Sequence, residues 1–204
     1  MLFRSTPRSG SCNGATFTVT VTVNPKPVIP AQTGTICSEN AFTLTLTNNP
    51  TTTILPANTT YTWTVAANSN VNGQSAQSTG ASTISQTLTN LSNTQQEVVY
   101  TITPTSGAAG NCPGSPFELK VKVDPKPRIP NQTATVCSGL PLTVTIPANS
   151  PPNVILPANT LYTWTFVDNT NVTGESTQTT AAPSITQTDR KSTRLNSSHL
   201  VISY

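Results

Sequence analysis

Apolar and polar residues alternate one by one through most of this chain. Phe17, Val19, Val21 and Val23 are separated by Thr18, Thr20 and Thr22. Phe42, Leu44 and Leu46 alternate with threonines, and so do Leu142, Val144 and Ile146. Tyr61, Trp63 and Val65 share a face, as do Tyr162, Trp164 and Phe166. A period of two is the mark of a strand with one buried face. Forty threonines fit it, because a β-branched polar side chain suits the solvated face. No stretch places apolar residues at helical spacing, so essentially no helix is predicted. Within 25–124 strands are predicted near 28–36 and at 41–47, 61–66, 83–89, 97–103 and 116–123, with one more inside 69–78. Ile84, Gln86 and Leu88 follow the alternation less cleanly than the rest. About seven short strands per hundred residues, separated by clusters of Pro, Asn, Ser and Gly, indicate an all-β, immunoglobulin-like sandwich.

The pattern repeats. "NPKPVIPAQTGTIC" (24–37) matches "DPKPRIPNQTATVC" (124–137) at nine of fourteen positions. "ILPANTTYTWTV" (54–65) matches "ILPANTLYTWTF" (155–166) at ten of twelve. "SCNGATFTVTVTV" (11–23) answers "NCPGSPFELKVKV" (111–123). The expected organisation is one complete repeat at 25–124. Before it, 6–24 is the C-terminal strand of a preceding repeat. After it, 125–188 is the N-terminal part of a following, truncated one. "VNPKP" and "VDPKP" join the repeats, and two prolines in five residues favour extended, stiff backbone.

The two ends do not share the pattern. Similarity between repeats stops at Asp189, where the matching position is Leu88, and nothing before Thr6 has a counterpart. "DRKSTRLNSSH" and the final "ISY" resemble the translation of a sequencing-library adapter, and "LFRS" at 2–5 resembles the end of the opposite adapter. Residues 1–5 and 189–204 are therefore expected to be adapter-derived and are set apart from fold reasoning.

Setting them apart changes the charge. The chain carries ten Lys and Arg against seven Asp and Glu, a formal +3. Without Arg4, Asp189, Arg190, Lys191 and Arg194 the remainder is neutral, so the basic footprint of a nucleic-acid binder is missing. The only histidine, His199, lies in the tail, which leaves no base for a Ser or Cys nucleophile. Glu39, Glu97, Glu118, Asp124, Asp168 and Glu175 are scattered singly, whereas a calcium site needs converging carboxylates. No catalytic residue, cofactor or metal is implied, and the chain is not expected to be an enzyme.

Tyr61, Trp63, Tyr162 and Trp164 admit two readings. Core packing is the bland one, since sandwiches bury a tryptophan in the middle of one sheet. The sharper one is a stacking platform for sugar rings. Cys37 and Cys112 give each repeat two cysteines, which in an extracellular protein argues for disulfides. In simple immunoglobulin topology they would sit at opposite poles. Either the real topology brings them together or the bridge staples neighbouring repeats, with free thiols as the remaining alternative.

The runs "NPKPVIPAQTGTICS", "YTWTV" and "VVYTITPTSGAAGNCPGSPFELKVKV" resemble PKD-like repeats of large Bacteroidota surface proteins of the gliding-motility and adhesin type. That resemblance implies an exported, tandem β-sandwich array at the cell surface with no catalytic residues. The expected role is that of a spacer or weak adhesin. Neighbouring repeats of the same chain are its expected partners, with surface polysaccharide or glycans outside it. Neither nucleic acid nor membrane insertion is expected of this stretch. The competing reading is a carbohydrate-binding accessory module of a secreted hydrolase.

Overall fold

The computed structural model describes residues 1–107, 110–188 and 190–191. Every regular element among them is a strand. The leading segment holds β1 (Leu2–Ser5), β2 (Arg8–Ser9), β3 (Cys12–Asn13) and β4 (Phe17–Thr20). The complete repeat holds β5 (Gln32–Cys37), β6 (Ala41–Leu44), β7 (Thr60–Ala66), β8 (Val71–Asn72), β9 (Gln77–Ala81), β10 (Ile84–Thr87), β11 (Thr89–Asn90), β12 (Gln96–Thr105) and β13 (Phe117–Asp124). Then follow β14 (Pro141–Thr143), β15 (Tyr162–Trp164), β16 (Val172–Thr173), β17 (Gln178–Ala182), β18 (Thr186–Thr188) and β19 (Arg190–Lys191).

The complete repeat is an immunoglobulin-like β-sandwich. One sheet has five strands in the order β5-β13-β12-β7-β9. Against it lie the pairs β6–β10 and β8–β11. The core is made where the alternation of both layers points inward. On β13, Phe117, Leu119, Val121 and Val123 are buried, while Lys120 and Lys122 take the opposite face. Val98, Tyr100 and Ile102 on β12 are fully covered, and Phe42 stacks on Tyr100 with ring centroids 6.4 Å apart. Each such side chain contributes about 1.5–3 kcal/mol of burial. All of these core residues lie between Ile29 and Val123, so the repeat carries its own core.

Two details differ from simple immunoglobulin topology. The first strand does not join β6; β5 runs parallel to β13, with Leu119 opposite Gln32 and Asp124 opposite Cys37. Pro27 and Pro30 set an extended entry, and Gln32 Nε2 donates to Pro30 O, which steers the chain onto that edge. The strand expected inside 69–78 is also not one element. Its first part, β8, pairs with β11, and β9 at 77–81 extends the five-stranded sheet beside β7. The turn between them brings Gly73 (φ +87) against Thr87 O, where a Cβ would sit 2.0 Å away, so only glycine fits.

The partial repeat has the same pairings. β14 pairs with β18, β15 with β17 and β16 with β19, as β6 does with β10, β7 with β9 and β8 with β11. A register irregularity falls between Tyr162 and Trp164 as it does between Tyr61 and Trp63. The bridge Val28↔Ile54 recurs as Arg128↔Ile155. The chain clusters into two compact units, the first ending at Asp124 and the second beginning at Pro125 apart from the short stretch Leu91–Thr94.

The two ends pair although their sequences stand outside the repeat. Leu2–Ser5 lies antiparallel to Phe17–Thr20, and Arg190–Lys191 to Val172–Thr173. Ladder hydrogen bonds use backbone alone, so an open edge accepts any extended segment. Asp189 and 192–204, which make up most of the expected adapter-derived tail and include His199, lie outside the described residues.

Candidate functional site

The aromatic positions come first. On β7 the alternation points Tyr61 and Trp63 inward, and each is only 7% exposed. Trp63 Nε1 donates to Ser75 O at 2.8 Å, which satisfies the one polar atom of the ring. The same bond recurs from Trp164 Nε1 to Ser176 O at 3.1 Å. Tyr162 and Trp164 are half-buried, since no strands corresponding to β12 and β13 cover them in 125–188. In the complete repeat no ring face of the pair stands free as a stacking platform.

Gln86 explains why 84–88 breaks the simple alternation. It faces the core side of β10 and gathers the polar atoms left there. Its Nε2 donates to Ser75 O and Ser75 Oγ, both at 2.7 Å. Its Oε1 accepts from Tyr100 Oη at 2.7 Å. Burial pushes the Tyr100 phenol up to about 12 and raises that of Tyr61 as well. Gln187 repeats the contact with Ser176 through its carbonyl and hydroxyl oxygens. Sequence reasoning passed over Gln86, although its identity in both repeats at an inward position was a usable signal. A second peg is Asn90, buried at the end of β11. It donates from Nδ2 to Val123 O at 2.8 Å, and its backbone N–H meets Ser38 Oγ at 2.9 Å. Its Asn-X-Ser context is therefore structural.

Surface depressions among the described residues of the complete repeat include the following two. One of about 510 Å³ runs beside Leu44, Leu46, Leu55, Tyr61 and Ile84. The other, about 440 Å³, lies on the outer face of the five-stranded sheet between Thr62, Thr64, Thr101 and Thr103, and Trp63 lines it. A counterpart of about 370 Å³ surrounds Trp164. Both are lined by hydroxyl, amide and alkyl groups with one aromatic residue each, Tyr61 and Trp63, and no carboxylate, histidine or cysteine is among the lining residues of either. Among the described residues no three His, Cys, Asp or Glu stand close enough to share a metal ion. The ion pair of Lys120 Nζ with Glu118 at 3.8 Å is exposed. Such an arrangement offers hydrogen bonds and packing.

Cys37 and Cys112 sit at opposite ends of the same sheet. Cys37 closes β5 level with Asp124, the last residue of β13. Cys112 belongs to the β12–β13 loop, before Phe117 opens β13. Seven residues of β13 separate those levels, about 23 Å at ~3.3 Å per residue. A disulfide spans roughly 7 Å between Cα atoms at most. The observed topology thus does not bring the two together within one repeat. Cys12, Cys37, Cys112 and Cys137 are all unpaired in this structure.

The linker meets the sandwich at Pro27. This proline is fully buried, and its carbonyl lies so near Gly114 that a Cβ there would come to 2.7 Å. Only Pro25 and Lys26 then stand between Asn24 and the body of the repeat.

The pattern of the PKD-like domain family matches residues 34–127 and again residues 134–198, a hundred residues later. The chain belongs to the PKD-like domain family. PKD-like domains are typically non-catalytic modules of extracellular proteins. The second PKD-like match continues past Thr188 into the tail. No curated protein matches the chain. Among the described residues no helix is long and apolar enough to cross a membrane.

Proposed function

We propose that this stretch is part of a tandem PKD-like array that works as a structural spacer and weak adhesin on a bacterial cell surface. The proposed parent is a large gliding-motility or adhesin-type polypeptide of the Bacteroidota, with residues 6–188 as its own sequence and the two ends as adapter-derived additions. One observation carries the reading: a sandwich with a self-contained core is followed, after Pro125 and Lys126, by a second copy with the same strand register. A linker that short, with Pro27 buried in the repeat it enters, transmits position and load from one module to the next. The charge-poor, threonine-rich outer faces keep such an array hydrated without drawing in a charged partner.

The burial of Tyr61 and Trp63, each 7% exposed, weighs against the alternative of a carbohydrate-binding accessory module of a secreted hydrolase. Sequencing the source locus tests the proposal directly. Further copies of the 25–124 pattern are expected on both sides of Thr6 and Thr188. A single catalytic domain in their place would overturn it. So would retention of the chain on insoluble cellulose or chitin that Trp63→Ala abolishes while the repeat stays folded.

A further inference from the structure

The placement of the cysteines carries more than their failure to meet. At the C-terminal end of the repeat, Cys37 is the parallel-strand neighbour of Asp124, and the next residue, Ser38, donates its N–H to Asp124 O at 2.9 Å. Adjacent strands lie about 4.8 Å apart, so the Cys37 thiol stands beside the point where the chain leaves the repeat. At the N-terminal end the arrangement is complementary. A Cβ added at Gly110 would lie 3.0 Å from Asn24 Nδ2 and 3.9 Å from Cys112 Sγ, so Asn24 and Cys112 flank one backbone position. Asn24 is where the chain enters the repeat, and it is the sequence counterpart of Asp124: Val23-Asn24-Pro25-Lys26-Pro27 against Val123-Asp124-Pro125-Lys126-Pro127. Asp124 and Asn24 are counterparts, so the linker position that neighbours Cys37 at the exit of a repeat is the same position that neighbours the Cys112 loop at the entry of one.

We propose that successive repeats are stapled by a disulfide from Cys37 of one to the β12–β13 loop cysteine of the next. Both thiols are reachable, Cys37 being exposed and Cys112 half-buried. Cys112 is tied to Ser106 at the end of β12: Ser106 N–H donates to Cys112 O at 3.0 Å and Cys112 N–H to Ser106 Oγ at 3.2 Å. Each of the four cysteines is then half of a pair. By the repeat spacing, the partner of Cys37 belongs to the repeat that begins at Pro125 and the partner of Cys112 to the repeat that ends at Asn24. The bond forms by thiol–disulfide exchange with a disulfide oxidant, such as an extracytoplasmic oxidoreductase or oxidised glutathione. One thiolate attacks the oxidant's disulfide, giving a mixed disulfide and releasing one oxidant sulfur as a thiol. The second thiolate then attacks the protein sulfur, forms the Sγ–Sγ bond and releases the other oxidant sulfur. The protein loses two electrons and two protons, and the oxidant gains them. The staple would close a loop across the proline linker and hold neighbouring sandwiches in one orientation.

This inference rests on the tandem-array reading, and the two can fail separately: the locus decides the array, and a thiol map decides the staple. The test protein is residues 1–124 followed directly by a second copy of 25–124, whose junction reproduces Asp124-Pro-Lys-Pro. Each copy brings its own core, and protease resistance of both is checked first. After dilute treatment with oxidised glutathione, non-reducing peptide mapping is expected to find one cross-link, from Cys37 of the first copy to Cys112 of the second. Cys37→Ser in the first copy should abolish it, and Cys37→Ser in the second copy should leave it intact. A Cys37–Cys112 link within one copy, thiols that all stay free, or failure of the two copies to fold side by side would each overturn the proposal.

Discussion

Gln86 shows how one side chain can decide whether a strand belongs to the core. It sits inward on β10, bonds Ser75, and accepts the hydroxyl hydrogen of Tyr100, a fully buried side chain. A buried donor left without a partner costs about 1–3 kcal/mol. Gln86→Ala is therefore expected to lower the stability of the complete repeat by that amount in a urea titration. A change below about 0.5 kcal/mol would mean water replaces the amide. Tyr100 adds a pH dependence. Its phenol is pushed up to about 12 by burial, while in the unfolded chain it titrates near 10. Below pH ~10 both states hold the proton and its contribution is complete. As pH rises from about 10 towards 12 the unfolded state ionises first, so stability falls through that window. The loss is on the order of 2–3 kcal/mol, at ~1.4 kcal/mol per unit. Tyr100→Phe should flatten this part of the curve, read as the urea midpoint against pH.

At the scale of elements, the period-two pattern carried most of the fold. Phe117 to Val123 and Tyr61 to Trp63 face the core because alternating side chains leave a strand no other choice. What the pattern does not encode is which edge a strand joins. β5 has Gly34 and threonines on an open edge, and its parallel pairing with β13 comes from where Pro27 and Pro30 send the chain. β8 and β9 are separated by Gly73, whose close approach to Thr87 O depends on tertiary contact. The cysteine readings turned on the same point: their separation along the sheet could be argued from strand direction, but their relation to the linker needed the register of β5 and β13. The partial repeat shows what absent strands mean. Without counterparts of β12 and β13, Phe166 is 41% exposed, Tyr162 and Trp164 are half-buried where Tyr61 and Trp63 are buried, and Pro127 is exposed where Pro27 is buried. Open edges and an uncovered core face make this region the weaker one. Limited proteolysis of the 204-residue chain with proteinase K should cut first within 125–188 and leave 25–124 as the resistant fragment. Equal survival of both would show that the partial repeat is sealed some other way.

For the molecule as a whole, the question is whether the linker merely connects or also orients. Between Asp124 at the end of β13 and the bridge at Arg128 lie only Pro125, Lys126 and Pro127. Each proline fixes its own φ near −65° and biases the preceding residue towards extended backbone, so nearly every torsion of the junction is restricted. Glycine in place of the first of these prolines would release that restriction without touching the hydrophobic cluster, which runs from Ile29 to Val123. In the two-copy protein, with all cysteines changed to serine so that no staple contributes, Pro25→Gly of the second copy isolates the linker. Pro27 is left alone because it is packed in the sandwich. Spin labels on the outer strand faces of the two copies should give a narrow distance distribution for the parent and a broader one for the glycine variant. Thermal midpoints should agree within a few degrees, because an exposed linker position contributes little to the stability of either sandwich. A parent distribution as broad as the variant's would remove the mechanical argument for a spacer, since beads on a loose string carry load without setting direction.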